Sequence, residues 1–135
     1  MTDITEGFEP LFRTSPFLDL LGPLYSKRTN EGLVIGLRIE AKHCNARHFV
    51  HGGVLSSLAD ISLGYNLAFS GSDPLPIVTT SLTIDFSGSA KLGEWIETKT
   101  EIQKMGRSLA FANCYFFANT NCIARASGVF SVMKT

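Results

Sequence analysis

Hydrophobic positions recur along the 135-residue chain with two different periods, and the change of period divides it into segments. In residues 31–41, Leu33, Ile35, Leu37 and Ile39 alternate with Val34, Gly36, Arg38 and Glu40, a period of two that predicts a strand. Asn30 and Glu31-Gly32 read as a turn, so residues 24–29 are expected to complete a hairpin. Residues 53–69 switch to a helical period, with Val54, Leu55, Leu58, Ile61, Tyr65 and Phe69 on one face. The opposite face carries Ser56, Asp60, Leu63 and Leu67 and is mostly apolar too. Asp60 is the only charge in that stretch. A helix apolar nearly all round must be covered on both sides, here by a wrapped sheet or by a second subunit.

Beyond Pro76 the alternation returns, first as Val78, Leu82, Ile84 and Phe86 set against Thr79, Ser81, Thr83 and Asp85. Segments 77–87, 94–105, 107–118 and 121–133 are separated by turn residues at 89–93, Met105-Gly106 and Asn119-Thr120-Asn121, which predicts an antiparallel meander. Upstream, residues 9–21 are apolar but interrupted by Pro16, as in a short broken helix that ends before Gly22-Pro23. The expected whole is a single α+β domain over 1–135, one long helix on a large antiparallel sheet, with 1–24 as a helical lead-in.

Composition narrows the function classes. Twelve basic residues balance twelve acidic ones, without the basic excess of a nucleic-acid binder. A 44% hydrophobic content is that of a folded chain. No apolar run is long enough to span a membrane, and residues 1–10 lack the basic and apolar regions of a secretory signal, so a cytoplasmic location away from membranes is expected. Cys44, Cys114 and Cys122 have no C-x-x-C spacing and suggest packing residues in a reducing compartment. His43, His48 and His51 match no zinc spacing, and no metal is expected.

Candidate chemistry lies between Asn45 and Asp60. Gly52 and Gly53 open the helix, where bare first-turn N–H groups and the helix dipole favour a developing negative charge. The same pair also serves as a plain strand-to-helix turn, with His51 orienting it. A carboxylate on a helix covered on both sides is costly unless it is paired. Asp60 is therefore satisfied by neighbours such as Ser56, or retained for a reaction. Eight residues of helix put Gly52 about 12 Å from Asp60, whereas groups acting on one carbonyl must lie within about 3 Å of it. One helix cannot supply both, but two antiparallel copies across a two-fold axis can, burying Leu63 and Leu67 between them. Ser56, Ser57 and Ser62 lack a nucleophile-elbow context and read as packing residues. Lys91 and the run Lys104 to Arg107 read as basic hairpin tips.

The spacing of Asn45, His51-Gly52-Gly53 and Asp60 resembles that of the hot-dog-fold acyl-CoA thioesterases, nearest to the phenylacetate-pathway and acyl-CoA thioesterase 13 branch. The likeness continues through Thr83-Ile84-Asp85-Phe86, Ala90-Lys91-Leu92-Gly93-Glu94, Gly106-Arg107-Ser108-Leu109-Ala110-Phe111 and Ala126-Ser127-Gly128, over about residues 30–132. It implies a curved antiparallel sheet wrapped around the long helix, in homodimers with shared sites that pair further into tetramers. It also implies cofactor-free hydrolysis of an aryl- or medium-chain acyl-CoA. By the same resemblance Asp60 is nucleophile or general base, the Gly52 N–H polarises the carbonyl, and Asn45 positions the carbonyl or the water. Thr79 assists near Asp60 of the other subunit. His51, Gly53, Lys91, Lys104, Arg107 and Ser108 contact substrate or coenzyme A. The chain departs from the family at Arg47 and His48, where a glycine is usual. Two rivals on the same fold are a non-catalytic acyl-CoA-binding module and a hydratase or dehydratase, for which His51 is the only proton-transfer partner. Leu55, Ser56, Leu63 and Leu67 are expected in the acyl pocket, its depth set by residues 1–24 and 70–76. Phe8, Phe12 and Phe17 form either a lid or core.

Overall fold

Each alternating segment is a strand in the computed structural model, which describes residues 4–133; residues 1–3 of the lead-in and residues 134–135 lie outside the described residues. The order is β1 (Glu9–Pro10), α1 (Pro16–Leu21), β2 (Tyr25–Thr29), β3 (Gly32–Arg38), a 3-10 turn at Ala41–His43, α2 (Gly52–Ala68), β4 (Ile77–Phe86), β5 (Trp95–Met105), β6 (Leu109–Ala118) and β7 (Asn121–Val132). The strands form one seven-stranded sheet in the order β1-β2-β3-β5-β6-β7-β4.

The meander expected after Pro76 holds for β5, β6 and β7 only. β4 does not neighbour β5; it pairs with β7 from Ile77↔Val132 to Phe86↔Ala124 and forms the sheet's edge. The cause is α2, which crosses the sheet and delivers the chain to the far edge. Residues 87–94 then return it to the middle, with Val50 N–H bonding Ala90 C=O on the way. Turn spacing is the same for either topology.

The lead-in also differs from the broken helix expected over 9–21. Pro16 begins α1 instead of interrupting it, because proline suits the first helical position and Ser15 Oγ accepts from Leu18 N–H as the N-cap. Residues 9–10 extend the sheet as β1. Phe8 is buried core, packed edge-on against Trp95 at 5.1 Å, whereas Phe12 and Phe17 remain exposed.

The sheet curls around α2, which packs on β3, β4, β5, β6 and β7. Small residues on the inner face of β6, Ala110, Ala112, Cys114 and Ala118, let the helix approach closely. Bulges in β4, β5 and β7 sharpen the curl. The deepest face of α2 shares Leu55, Leu58 and Ile61 with the one expected but is turned away from it. Leu55, Leu58, Ala59, Ser62, Leu63, Asn66 and Leu67 are buried, while Val54, Tyr65 and Phe69 are only half-buried. Leu63 and Leu67, assigned to a dimer surface, are 0% exposed within the single chain. The burial axis is rotated because two polar side chains, Ser62 and Asn66, point inward and are satisfied there.

Their partners lie where β3 and β5 separate. Those strands pair only over Gly36–Arg38 and Trp95–Glu97. Past that point the Thr98 hydroxyl accepts from Ile35 N–H at 3.0 Å, and Asn66 Oδ1 accepts from Leu33 N–H at 2.9 Å. Asn66 Nδ2 donates to Leu33 C=O and Ser62 C=O, and Ser62 Oγ bonds both Thr98 and Thr100. Ser62 is thus a hub of buried hydroxyls as well as a packing residue. Cys114 lies beside them, its thiol pushed up to about 11 from 9.0, chiefly by burial. The folded chain therefore holds that proton more tightly than the unfolded one. The stabilisation is complete below pH 9 and is lost as pH rises towards 11. The urea midpoint of wild type is expected to fall over that range relative to Cys114→Ala, by an amount corresponding to about 3 kcal/mol.

Candidate active site

Asn45 opens the loop that leads into α2 and spends its side-chain oxygen on it. Its Oδ1 accepts from Arg47 N–H at 2.9 Å and Phe49 N–H at 3.2 Å, closing an Asx turn. At the turn's apex His48 has φ 67, the left-handed region. The glycine usual in this stretch is thus replaced by a histidine that adopts a glycine-like backbone, and the loop closes all the same. His48→Gly is expected to melt at or slightly above the wild-type temperature. His48→Val should lose about 1–2 kcal/mol of stability, because a β-branched residue resists that region most.

Beyond the turn, His51 caps α2, its Nδ1 accepting from Gly53 N–H at 3.0 Å. The ring is thereby fixed with Nδ1 as acceptor, and Gly53's donor is occupied. Val54 and Leu55 N–H both reach His51 C=O. Gly52 N–H alone in this first turn finds no acceptor among the described residues. His43 is buried and bridges Glu40 N–H and Leu21 C=O, a structural clamp between the lead-in and the loop.

Two turns further along α2, Asp60 is half-buried and its Oδ1 accepts from the Thr79 hydroxyl at 2.6 Å. Thr79 therefore meets Asp60 within one chain, where the resemblance implied Asp60 of the other subunit. The proximity follows from topology: the chain leaves α2, turns through residues 69–76 and runs back alongside it as β4. A cleft of about 550 Å³ opens beside the pair, with Ser15, Phe17, Ser56, Ser57, Ile61 and Tyr65 among its walls. A second, of about 390 Å³, adjoins it towards Arg13 and Phe69. Leu55, Leu63 and Leu67, expected in the acyl pocket, face the core instead, and among those expected helix residues only Ser56 lines the first cleft. Phe17 stands at its mouth, 57% exposed. Ser56 and Ser57 hydroxyls donate to Gly52 and Gly53 C=O and carry no sign of activation.

The residues outside α2 expected to contact coenzyme A fall into two groups. Lys91 is not at a hairpin tip; it sits in the crossover after β4, bridged to Phe49 beside the Asn45 loop, with its N–H held by Glu94. Lys104 is the penultimate residue of β5, and Arg107 and Ser108 lie in the β5–β6 turn, where Val132 N–H reaches Ser108 C=O. The length of β5 separates the two groups, about 33 Å at the usual rise. Gly52 and Asp60 lie likewise apart on α2. Phe86, which the sequence places in a strand but not in the site, packs on Gly52, so that a Cβ there would stand 3.2 Å from its Cζ. The chain thus carries two half-sites between α2 and β4: Gly52 with Phe86, and Asp60 with Thr79.

Residues 48–121 match the family profile described as the thioesterase superfamily. The Pseudomonas aeruginosa protein named "Putative esterase PA0474" is 48% identical over 131 residues, covering 96% of this chain and 98% of its own. Human acyl-coenzyme A thioesterase 13 is 27% identical over 118 residues, 84% of each chain. The crystal structure of zebra fish thioesterase superfamily member 2 superposes with a TM-score of 0.81 at 26% identity, over 88% of each chain.

Proposed function

The chain belongs to the thioesterase superfamily and is a thioester hydrolase, and from that premise we propose that it cleaves aryl- or medium-chain acyl-CoA at two sites shared across a homodimer. The observation that carries this reading is the pair of separated half-sites. Gly52 N–H is an open donor aimed from a helix start, suited to the oxyanion of a tetrahedral intermediate. Asp60 is a carboxylate with one oxygen anchored by Thr79 and a cleft in front of it. Neither half completes the reaction alone.

A two-fold axis that sets two α2 helices antiparallel brings Gly52 of one chain against Asp60 of its partner. β4 is the ten-residue edge of the sheet, with its outer main-chain groups open to a second strand, and antiparallel pairing with its own copy obeys the same axis. The same operation carries the Lys104, Arg107 and Ser108 turn of one chain towards Lys91 of the other, giving the coenzyme A phosphates cations from both. The carbonyl oxygen accepts from Gly52, and Asn45 holds the loop that aims this donor. The Asp60 carboxylate either takes a proton from the attacking water or adds to the carbonyl before water releases it. In both cases the C–S bond breaks, and the products are a carboxylic acid and coenzyme A thiol. The clefts, with Phe17, Ile61 and Tyr65 on their walls, receive the acyl group.

Thiol release from phenylacetyl-, benzoyl-, hexanoyl- and palmitoyl-CoA tests the proposal, with Cys122→Ser as the enzyme so that the exposed Cys122 thiol adds no background. Turnover of the aryl or hexanoyl substrates is expected. Thiol release from none of the four overturns the proposal.

A further inference from the structure

Phe86 ends β4 in register with Ala124, on the inner face of the sheet, yet its side chain is 51% exposed. Its ring tip is pressed against the start of α2: a Cβ on Gly52 would lie 3.2 Å from Cζ and 3.5 and 3.6 Å from the two Cε atoms. Half of a phenyl ring is therefore open beside the one first-turn N–H that has no acceptor among the described residues. An apolar wall next to a single convergent polar group is the composition of a ligand site, and a core residue would be covered.

We propose that Phe86 is a substrate-contacting specificity residue: its open ring face meets the acyl carbons next to the carbonyl held at Gly52 and selects aryl acyl groups over straight aliphatic ones. This rests on the thioesterase reading above and adds a substrate preference to it. An alkyl chain gains about as much from leucine as from phenylalanine, because burial of apolar area does not depend on ring shape. An aryl ring gains a further contribution from edge-to-face or offset stacking, equivalent to roughly 2- to 13-fold in affinity. That contribution falls on the part of the acyl group close to the reacting carbonyl, where it is retained in the transition state and appears in kcat/KM.

The test is the ratio of kcat/KM for phenylacetyl-CoA to that for hexanoyl-CoA, measured in wild type, Phe86→Leu, Phe86→Met and Phe86→Tyr. The ratio is expected to fall about 2- to 13-fold in the leucine and methionine variants and to hold in the tyrosine variant, which keeps the ring. A ratio unchanged in Phe86→Leu and Phe86→Met, including an equal fall for both substrates, overturns the proposal, since a purely structural ring would affect every substrate alike. Leucine and methionine differ in shape, so the one that folds decides the matter if the other does not. Wild type that releases thiol from no acyl-CoA refutes the thioesterase reading itself. Wild-type turnover with an unchanged ratio refutes Phe86 alone.

Discussion

Asp60→Asn is expected to lower turnover roughly a thousandfold while leaving the fold intact. Asparagine is isosteric with aspartate, and its Oδ1 can still accept from the Thr79 hydroxyl, the one side-chain bond Asp60 makes among the described residues. The residue is half-buried, so exchanging a charge for an amide does not strand an unpaired group in the core. What disappears is the capacity to take a proton or to form a bond to carbonyl carbon. Single-turnover rates on the best acyl-CoA, beside a urea unfolding curve, separate the two effects. A loss below tenfold in a folded variant would remove Asp60 from the reaction.

Gly52→Pro isolates the other half-site. Proline deletes one N–H and is well tolerated at the first position of a helix. The preceding residue already suits it, since His51 has φ −73 and ψ 138, the extended backbone that proline demands of its neighbour. The new Cβ meets only the tip of the half-exposed Phe86 ring, which has room to move by a few tenths of an ångström. A fall of about 10²–10³ in kcat is expected, the usual size for loss of one oxyanion donor, with stability within about 1 kcal/mol of wild type. Mixing this variant with Asp60→Asn and allowing subunits to exchange tests sharing directly. Half of the dimers are then mixed and hold one intact site each, so about a quarter of wild-type activity should return. A mixture as inactive as its parents would mean that each site is built from one chain.

Much of the fold was legible because it rests on simple periods. Alternation over 31–41 and beyond Pro76 located the strands, and the single charge in residues 53–69 marked the helix as buried. The connectivity was not legible: β4 pairs with β7 across the sheet, and local turn residues carry no record of a crossover. Nor was the true inner face of α2, because hydrophobicity counts Ser62 and Asn66 as outward whereas hydrogen bonds turn them in. At the site, the Asn45-to-Asp60 run stood out by residue type and spacing. Phe86 did not, since an aromatic residue closing a strand looks like any other core position until its contact with Gly52 is seen. The separation of Lys91 from Lys104 and Arg107 was legible, since they flank the segment 94–105, but the crossover that holds Lys91 was not.

The amide of Asn66 has a further bearing on accuracy at the site. A helix apolar nearly all round can dock on a greasy sheet in several rotations of similar energy, each one-residue slip turning it by about 100° and shifting it by about 1.5 Å. Asn66 removes that degeneracy. It stands in for a neighbouring strand by binding both the N–H and the C=O of Leu33, bonds that only one phase of the helix can make. Gly32, with φ +126, leaves the room it needs, as a Cβ there would fall 2.6 Å from Asn66 Oδ1. The contact works as an index pin: it lies beyond Asp60 along α2 and lines neither cleft beside that residue, yet it sets the angle at which Gly52 and Asp60 are presented. Reactions that tolerate errors of only about 0.5 Å in their groups depend on such a pin as much as on the groups themselves.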